Sequence, residues 1–182
     1  MIYRFEEIYD YKFLVKNKLN KINKKSQKYK DYKMNLTNAK IKFAKKYANN
    51  ISLKFLKRIC NDKLNKFIFY GMNSEINLDE LASIIIYRKV FADSVKQRFI
   101  IMIIAVHPEL RGTGYGTLSL DEFFLYLSKK NKKIEIILHS IKSSINFYLN
   151  FGFNVINSNR FIENYEGDDI TEEDRILKFV FS

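Results

Sequence analysis

The sequence contains little cysteine, proline or glycine. Of its 182 residues, one is cysteine, one is proline, six are glycine and none is tryptophan. The lone cysteine, Cys60, excludes an internal disulfide framework, so we expect a reducing, cytoplasmic environment. The scarcity of proline and glycine excludes collagen-like and low-complexity linker sequences.

Long hydrophobic runs are also absent. The longest, Phe99–Val106, has eight residues, whereas a membrane-spanning helix needs about 20. The first ten residues, Met1–Asp10, are polar and do not resemble a secretory signal. We therefore expect a soluble protein that has no contact with a membrane.

What the sequence does contain is enough apolar surface for a core. Hydrophobic residues make up 47% of the chain and aromatic residues 15%, which excludes wholesale disorder. The length suits one domain. We expect a single domain over residues 1–182, with a basic helical part at 1–65 followed by a core at 66–182.

Charge is distributed unevenly. The net charge is +12, and the segment Asp10–Lys66 holds 18 Lys and Arg against 3 Asp and Glu, a local net charge of +15. This segment could hold nucleic acid, but we favour solvated helix faces, because lysine far outnumbers arginine, the commoner base reader. The segment Glu163–Asp174 instead carries seven acidic residues and no basic ones. It is either a flexible acidic turn or a wall that attracts a cation.

Hydrophobic periodicity predicts the order of elements. A short strand is expected within Ile2–Ile8, and helical spacing follows at Tyr11–Ile22 and at Leu36–Ile51, with a further short piece from Phe55 to Leu64. After Lys66 the pattern changes to strands and helices in alternation. The expected strands are Lys66–Gly71, Leu81–Phe91, Phe99–Val106, Lys133–His139, Phe153–Ile156 and Arg175–Phe181, and the expected helices are Thr117–Lys130 and Ser143–Asn150.

This order predicts an α/β (α+β) fold with a helical N-terminal third. The succession of strand, helix and strand after Phe99 predicts a central parallel pair with a right-handed crossover. The remaining strands are expected to pair mostly antiparallel, which gives a mixed sheet flanked by helices.

A glycine-rich loop joins the buried strand Phe99–Val106 to the following helix. Glycines at 112, 114 and 116 let the backbone curl without Cβ clashes. Its amides can then point inward at the positive end of the helix dipole, which suits a pyrophosphate. Two other phosphate motifs fit badly. A Walker loop ends in Gly-Lys-Ser/Thr, and a dinucleotide fingerprint requires a glycine at position 117, which is threonine.

Two segments resemble the GNAT superfamily of N-acetyltransferases. The signature Arg/Gln-x-x-Gly-x-Gly/Ala is matched by Arg111, Gly114 and Gly116 after the lead-in Val106-His107-Pro108. About thirty residues later, Phe147-Tyr148-Leu149-Asn150-Phe151-Gly152-Phe153 matches the family's aromatic-Tyr pair followed by Gly-Phe. The resemblance covers residues 66–182 well.

The resemblance implies that residues 66–182 bind acetyl-CoA as co-substrate. Main-chain groups of the strand before the loop would meet the pantetheine arm, and backbone amides of the loop would take the pyrophosphate, with Arg111 adding a positive charge. The implied cofactor-binding residues are Ile104, Ala105, Val106, Arg111, Gly112, Thr113, Gly114, Tyr115 and Gly116.

For catalysis the resemblance implies that Tyr148 acts as general acid near the thioester sulfur. The family's two positions for a glutamate base are Ile100 and Ile136 here, and strand alternation points the neighbouring Glu135 to the other face. His139, at a strand end, is the candidate that remains, beside a surface role for it or a water chain without a single base. No metal is expected, since the two histidines and Cys60 form no ligand cluster.

The predicted function is transfer of an acetyl group from acetyl-CoA to a primary amine by direct attack. The acidic segment favours a cationic acceptor, whereas the basic N-terminal part favours an acidic peptide or a nucleic-acid-associated one, and the sequence leaves this open. The alternative is a noncatalytic acyl-CoA-binding or nucleic-acid-binding module on the same fold, although we expect nucleic-acid binding to be the less favoured. The sequence makes no prediction of oligomeric state.

Overall fold

The structure is a computed structural model that describes residues 2–4, 38, 40–42, 44–71, 81–128, 133–156 and 175–181. The predicted helix at Tyr11–Ile22 and the acidic segment lie outside the described residues. Contacts divide the chain into two compact units. The first unit comprises Met1–Ile86 with Ile104–Glu122, and the second comprises Tyr87–Ile103 with Phe123–Ser182.

The first unit contains helices and antiparallel strands. Strand β1 (Ile2–Arg4) pairs antiparallel with β2 (Asn65–Gly71). Residues 44–47 are helical, and helix α1 (Leu53–Asn61) follows. The Ser52 side chain caps α1 by accepting a hydrogen bond from the Phe55 amide at 3.2 Å. Burial follows helical spacing, which is why the segments pack on the sheet, and the buried residues include Ala44, Tyr47, Ala48, Leu56, Ile59 and Cys60.

Two long strands form a hairpin. Strand β3 (Leu81–Ala92) and strand β4 (Lys96–Val106) are joined by a turn. Asp93 fixes this turn, because its carboxylate accepts hydrogen bonds from the amides of Val95 and Lys96 at 2.7 and 2.6 Å. Both strands reach the loop region at their far ends, where Ala82 accepts a hydrogen bond from the His107 amide at 2.7 Å.

The second unit contains the parallel pair. Strand β5 (Lys133–Ser140) runs parallel to β4, and β7 (Arg175–Phe181) pairs antiparallel with β5 and with the short β6 (Asn154–Val155). Its strands are hydrogen-bonded in the order β3-β4-β5-β7-β6. Helix α2 (Tyr115–Ser128) links β4 to β5, and helix α3 (Ile145–Asn150) follows β5.

The predicted fold class is confirmed: the sheet is mixed, and its parallel pair is the predicted one. Several boundaries differ. Strand β4 begins at Lys96, three residues before the predicted start, because Lys96 and Arg98 alternate with the buried Gln97 and Phe99. Helix α2 begins at Tyr115 instead of Thr117, and the first turn of the predicted helix Ser143–Asn150 is a 3-10 turn. Within the described residues, no helix combines the length and hydropathy needed to cross a membrane.

Candidate active site

The loop after β4 is held at its entry by a short 3-10 turn, Pro108–Leu110. Proline suits the first position of such a turn, because its φ angle is fixed and its missing amide hydrogen is not needed there. The His107 carbonyl accepts a hydrogen bond from the Leu110 amide at 2.9 Å. The chain therefore leaves the strand in a defined direction before it reaches the glycines.

Two of the three loop glycines need the conformation that only glycine adopts readily. Gly112 has φ +79° and Gly114 has φ +89°, and a Cβ built on either would meet no atom within 4 Å. A residue with a side chain would be strained there by about 1–2 kcal/mol. The space that a Cβ would occupy is open, which leaves room for a ligand close to the backbone. Gly116 lies inside α2 and has no positive φ.

The backbone amides of this loop form a candidate anion-binding site. Helix α2 makes its first backbone hydrogen bond from Leu118 to Gly114 at 3.1 Å, so the amides before Leu118 are not satisfied by the helix. No acceptor in the described part of the chain is hydrogen-bonded to the amides of Gly112, Gly114 or Gly116. The loop is exposed at residues 111–114 and lies at the positive end of a 14-residue helix.

Two buried serines fix the first turn of α2 on the sheet. The Ser119 hydroxyl is hydrogen-bonded to the Ser83 hydroxyl of β3 at 2.5 Å, and it also donates to the Tyr115 carbonyl at 2.5 Å. Both serines are fully buried. Sequence reasoning missed the hydrogen bond between Ser83 and Ser119. The sequence signal that was present concerns only Tyr115 and Ser119, which lie on one face of the helix because they are four residues apart.

Some of the hydrogen-bond donors of the Arg111 side chain are used within the protein. Its Nε donates to the Val106 carbonyl at 3.3 Å, and its Nη2 donates to the Tyr47 carbonyl at 2.9 Å. Tyr47 is a second residue that sequence reasoning missed. Its helical spacing indicated only a core position, and 64 residues separate it from Arg111, so no local pattern could have joined them.

The pantetheine residues predicted from the sequence lie at the end of β4. Ile104, Ala105 and Val106 are half-buried there. The register between β4 and β5 runs from Lys96 opposite Lys133 to Ile101 opposite Leu138, whereas β4 itself continues to Val106. All nine predicted cofactor-binding residues thus lie together in the first unit.

Tyr148, the predicted general acid, lies on α3 in the second unit. It is 7% exposed, and its ring makes edge-to-face contacts with Phe147 and Phe153 at centroid distances of 5.0 and 5.6 Å. Burial raises the pKa of the Tyr148 hydroxyl above its ordinary value of 10.0. Within the described residues nothing is hydrogen-bonded to this hydroxyl. The raised pKa keeps the Tyr148 phenol protonated at neutral pH.

The turn after α3 holds Tyr148 in place. Gly152 has φ +101°, and a Cβ there would come within 3.0 Å of the Phe179 ring. The Phe153 amide donates to the Tyr148 carbonyl at 3.0 Å. Phe124 of α2 stacks on Phe179 at a centroid distance of 4.9 Å. This aromatic cluster explains the Gly-Phe pair after the tyrosine, because only glycine fits against the packed ring.

His139, the other predicted catalytic residue, also lies in the second unit. It is half-buried near the end of β5, opposite Ile176 of β7. His107 lies in the first unit, where its ring packs against Tyr47 at 5.6 Å. In the part of the chain that the structure describes, no group of three or more His, Cys, Asp and Glu residues is arranged to hold a metal ion.

Comparison with known proteins identifies the family. The model of the acetyltransferase (GNAT) domain matches residues 37–165, well over half of the chain. The chain belongs to the GNAT acetyltransferase family. This confirms the family predicted from the loop and from the Phe147–Phe153 segment, and with it the predicted enzyme class. None of the curated proteins searched matches the sequence significantly.

Solved GNAT structures share the fold. The crystal structure of Tetrahymena GCN5 aligns with a TM-score of 0.56 and 12% identity, over 82% of this chain and 88% of that one. Arabidopsis thaliana NAA60 in complex with a bisubstrate analogue aligns with a TM-score of 0.54 and 13% identity, over 78% and 92%. NAA60 in complex with acetyl-CoA gives 0.53 and 13%, over 79% and 94%. At these identities the likeness concerns the fold alone.

Glu135 is the carboxylate nearest in sequence to a GNAT base position, and its surroundings make it a poor base. It is 1% exposed, and it forms ion pairs with Lys96 at 2.7 Å, with Arg98 at 2.5 Å and with Lys178. Burial raises its pKa, but hydrogen bonds from these three cations outweigh burial and lower the pKa from 4.5 to about 2. A carboxylate with so low a pKa is almost never protonated near neutral pH, and it is therefore a weak general base.

We predict that Glu135→Gln destabilises the protein by about 2 kcal/mol at pH 7, because it leaves three cations together without their anion. The figure is modest because those cations are about one-third exposed to water. A pKa lowered in the folded state stabilises it above about pH 4.5, and this contribution is lost as the pH falls towards 2. Urea unfolding at pH 7 and pH 3 should show the difference shrinking at the lower pH.

The matched control for this prediction is Glu109→Gln, since Glu109 is 88% exposed and should leave stability unchanged. An equal loss in both variants, or a Glu135→Gln difference that is constant with pH, would contradict the assignment of a low pKa to Glu135.

We predict that alanine has different effects on stability at two glycines of the loop Arg111–Gly116. Gly114→Ala should lower the free energy of unfolding by about 1 kcal/mol, because φ is +89° there. Gly116→Ala should not lower it, because alanine favours a helix more than glycine does. Thermal unfolding of the two variants beside the unmodified protein measures this. A Gly114→Ala variant as stable as the unmodified chain would show that the loop does not hold this conformation.

Proposed function

We propose that the protein transfers the acetyl group of acetyl-CoA to a primary amine, and that residues 1–182 act as a single domain with its acetyl-CoA-binding core at 66–182. The observation that carries the proposal is the loop Arg111–Gly116. Gly112 and Gly114 hold positive φ angles over open space, and the amides of Gly112, Gly114 and Gly116 lie at a helix N-terminus without acceptors among the described residues. A diphosphate supplies the oxygen acceptors that such amides need.

The residues present fit acetyl-CoA. Backbone amides of Gly112, Thr113, Gly114, Tyr115 and Gly116 would hold the pyrophosphate, and main-chain groups of residues 104–106 would hold the pantetheine arm. The continuation of β4 beyond its register with β5 supports the second assignment. When bound, acetyl-CoA supplies an acetyl thioester that is activated towards amines. The NAA60 structures with acetyl-CoA and with a bisubstrate analogue, which share this fold, support the same donor.

Tyr148 holds the proton that the departing thiolate needs. Because burial raises its pKa above the ordinary value of 10.0, the phenol is protonated at neutral pH. Its hydroxyl is not consumed by a hydrogen bond within the described residues. We therefore assign Tyr148 the role of proton donor.

Loss of a proton from the acceptor amine is the second requirement. A free alkylammonium has a pKa near 10.4, so only about one molecule in 2,500 is neutral at pH 7. Ile100 and Ile136 occupy the two positions where relatives carry a glutamate, and Ile136 is fully buried. His139 is the candidate base from this chain that we retain. The acceptor we propose is a small cationic amine or an amine of a protein or peptide.

The lone cysteine supports a reducing, cytoplasmic location for this reaction. Cys60 is buried, and burial raises its pKa to about 11 against the opposing charge of Lys40. Such a thiol reacts slowly and has no part in the proposed transfer.

The apolar residues at both glutamate positions favour a second candidate function, a noncatalytic acyl-CoA-binding module. The experiment that separates the two follows release of free thiol from acetyl-CoA over a panel of amines: a polyamine, an aminoglycoside, a lysine-containing peptide with a blocked N-terminus, and a peptide with a free N-terminus. Amine-dependent thiol release supports the transferase. Binding of CoA without release from any amine supports the module. Failure to bind CoA would contradict both.

We predict that Tyr148→Phe lowers kcat by roughly a hundredfold, because the thiolate leaves without its proton donor. The dissociation constant of acetyl-CoA should stay within about twofold, since the pyrophosphate amides lie on another segment. The measurement is steady-state kinetics from pH 6 to pH 10, together with calorimetry of acetyl-CoA binding.

The matched control is Tyr126→Phe, which removes a half-buried phenol from α2 and should leave kcat unchanged. In the unmodified enzyme, a rise of activity with pH should follow the acceptor amine, and Tyr148 should cause no loss below pH 10. Unchanged kcat in Tyr148→Phe would exclude this residue as the proton donor.

A further inference from the structure

We infer that Arg111 is a positioning residue: its guanidinium ties the end of the helical segment 44–47 to the glycine loop and so holds the loop amides in place for the diphosphate. This inference rests on the proposed function, because it concerns how the same loop binds acetyl-CoA. The Arg111 side chain forms hydrogen bonds within the protein, whereas the sequence alone indicated only a positive charge that would attract the phosphates.

The hydrogen bonds of Arg111 reach two separate parts of the chain. Its Nε donates to the Val106 carbonyl at 3.3 Å, within the same strand-loop segment. Its Nη2 donates to the Tyr47 carbonyl at 2.9 Å and to Asn49 Oδ1 at 3.5 Å. One planar fork thus joins the loop to residues more than 60 positions earlier. A lysine ammonium is a single point and lacks the fixed geometry for this set of contacts.

Tyr47, whose carbonyl accepts the hydrogen bond from Arg111, is itself fixed by several contacts. Its side chain is fully buried, and its hydroxyl donates to the Leu81 carbonyl at 2.9 Å. Its ring packs edge-on against Phe69 and His107 at 6.0 and 5.6 Å. The carbonyl that receives Arg111 therefore belongs to a residue that is held at both its ring and its hydroxyl.

The end of this helical segment is closed by further contacts. The Ala48 amide donates to the Ala44 carbonyl at 2.8 Å, and the Lys45 ammonium donates to the carbonyls of Asn49 and Ile51 at 2.5 and 2.9 Å. The lysine satisfies carbonyls that a helix end leaves open. The segment can thus serve as a fixed support for Arg111.

The loop needs such a support immediately before its glycines. Downstream, Ser119 fixes the first turn of α2 through Ser83. Between these anchors, Gly112 and Gly114 have open space around the position of a Cβ, so few contacts restrict them. Fixing Arg111 reduces the freedom that the loop would otherwise lose on binding, and this preorganisation increases affinity.

The competing role for Arg111 is direct attraction of phosphate by charge. Its Nη1 has no hydrogen bond to a residue in the described ranges, so the side chain retains donors for a ligand. The two roles respond differently to lysine. Lysine keeps the charge and loses the fork, and therefore it preserves an electrostatic contribution but not the tie.

The test compares Arg111→Lys and Arg111→Ala by calorimetric titration with CoA at several salt concentrations. If Arg111 positions the loop, both variants bind CoA about tenfold more weakly than the unmodified protein and by similar amounts. The slope of log Kd against log salt then stays as it is in the unmodified protein. The matched control is Arg58→Lys, an arginine of α1 that packs over Phe55 at 5.1 Å, and it should bind CoA normally.

A second measurement does not depend on these variants folding. Hydrogen exchange of the Ala48 and Ile51 amides should slow when CoA binds the unmodified protein, although these residues lie outside the proposed binding loop. Asn49→Ala removes one acceptor of the guanidinium from an exposed turn, and it should reduce that protection and raise the Kd of CoA two- to threefold. Asn50→Ala, the exposed neighbour, should do neither.

The inference is overturned if Arg111→Lys binds CoA like the unmodified protein while Arg111→Ala loses both affinity and salt dependence, because charge would then explain the whole effect. It is also overturned if CoA leaves exchange at Ala48 and Ile51 unchanged. If the unmodified protein binds no CoA at all, the proposed function fails first and this inference fails with it, so the two failures are distinguishable.

Discussion

The hydrogen-bonding requirement of the backbone between Arg111 and Gly116 is the constraint around which the first unit is arranged. Amides at the start of a helix have no partner inside that helix, and the amides of Gly112, Gly114 and Gly116 have none among the described residues. Positive φ angles at Gly112 and Gly114 keep this arrangement open. Anchors flank the glycines on both sides: Arg111 reaches Tyr47, and Ser119 reaches Ser83. An anchored loop whose three glycine amides have no acceptor in the described part of the chain is suited to binding an anionic group.

In the second unit, two ionisable side chains have pKa values shifted in opposite directions. Glu135 forms ion pairs with Lys96, Arg98 and Lys178, which lie on the strands on either side of β5. These ion pairs lower the pKa of Glu135. Tyr148 sits instead among phenylalanine rings, and burial keeps its proton bound. Ile100 and Ile136 occupy the two positions at which the family resemblance allows a glutamate base, and Ile136 is fully buried.

Sequence reasoning recovered the features that depend on local spacing. Glycine positions, helical and strand periodicity and the single proline were enough to predict the loop and the parallel pair of β4 and β5. The start of β4 was missed because Lys96 and Arg98 are charged, which is typical of a turn. In the structure both form ion pairs with Glu135 of the neighbouring strand β5. The ties from Arg111 to Tyr47 and from Ser83 to Ser119 were missed for a related reason: each joins residues 36 or more positions apart, and a single sequence carries no record of such contacts. The roles of Tyr148 and His139 came from family resemblance and remain proposals.

The claim that backbone amides of one loop bind a diphosphate is tested most directly by calorimetric titration of the intact protein with CoA and, separately, with pantetheine. Pantetheine has the same thiol arm and lacks the diphosphate together with the adenosine 3′-phosphate attached to it. We predict saturable binding of CoA and at least a hundredfold weaker binding of pantetheine, since most of the hydrogen bonds proposed for the loop involve the diphosphate. Equal binding of the two compounds would contradict it, because affinity would then come from the pantetheine arm alone.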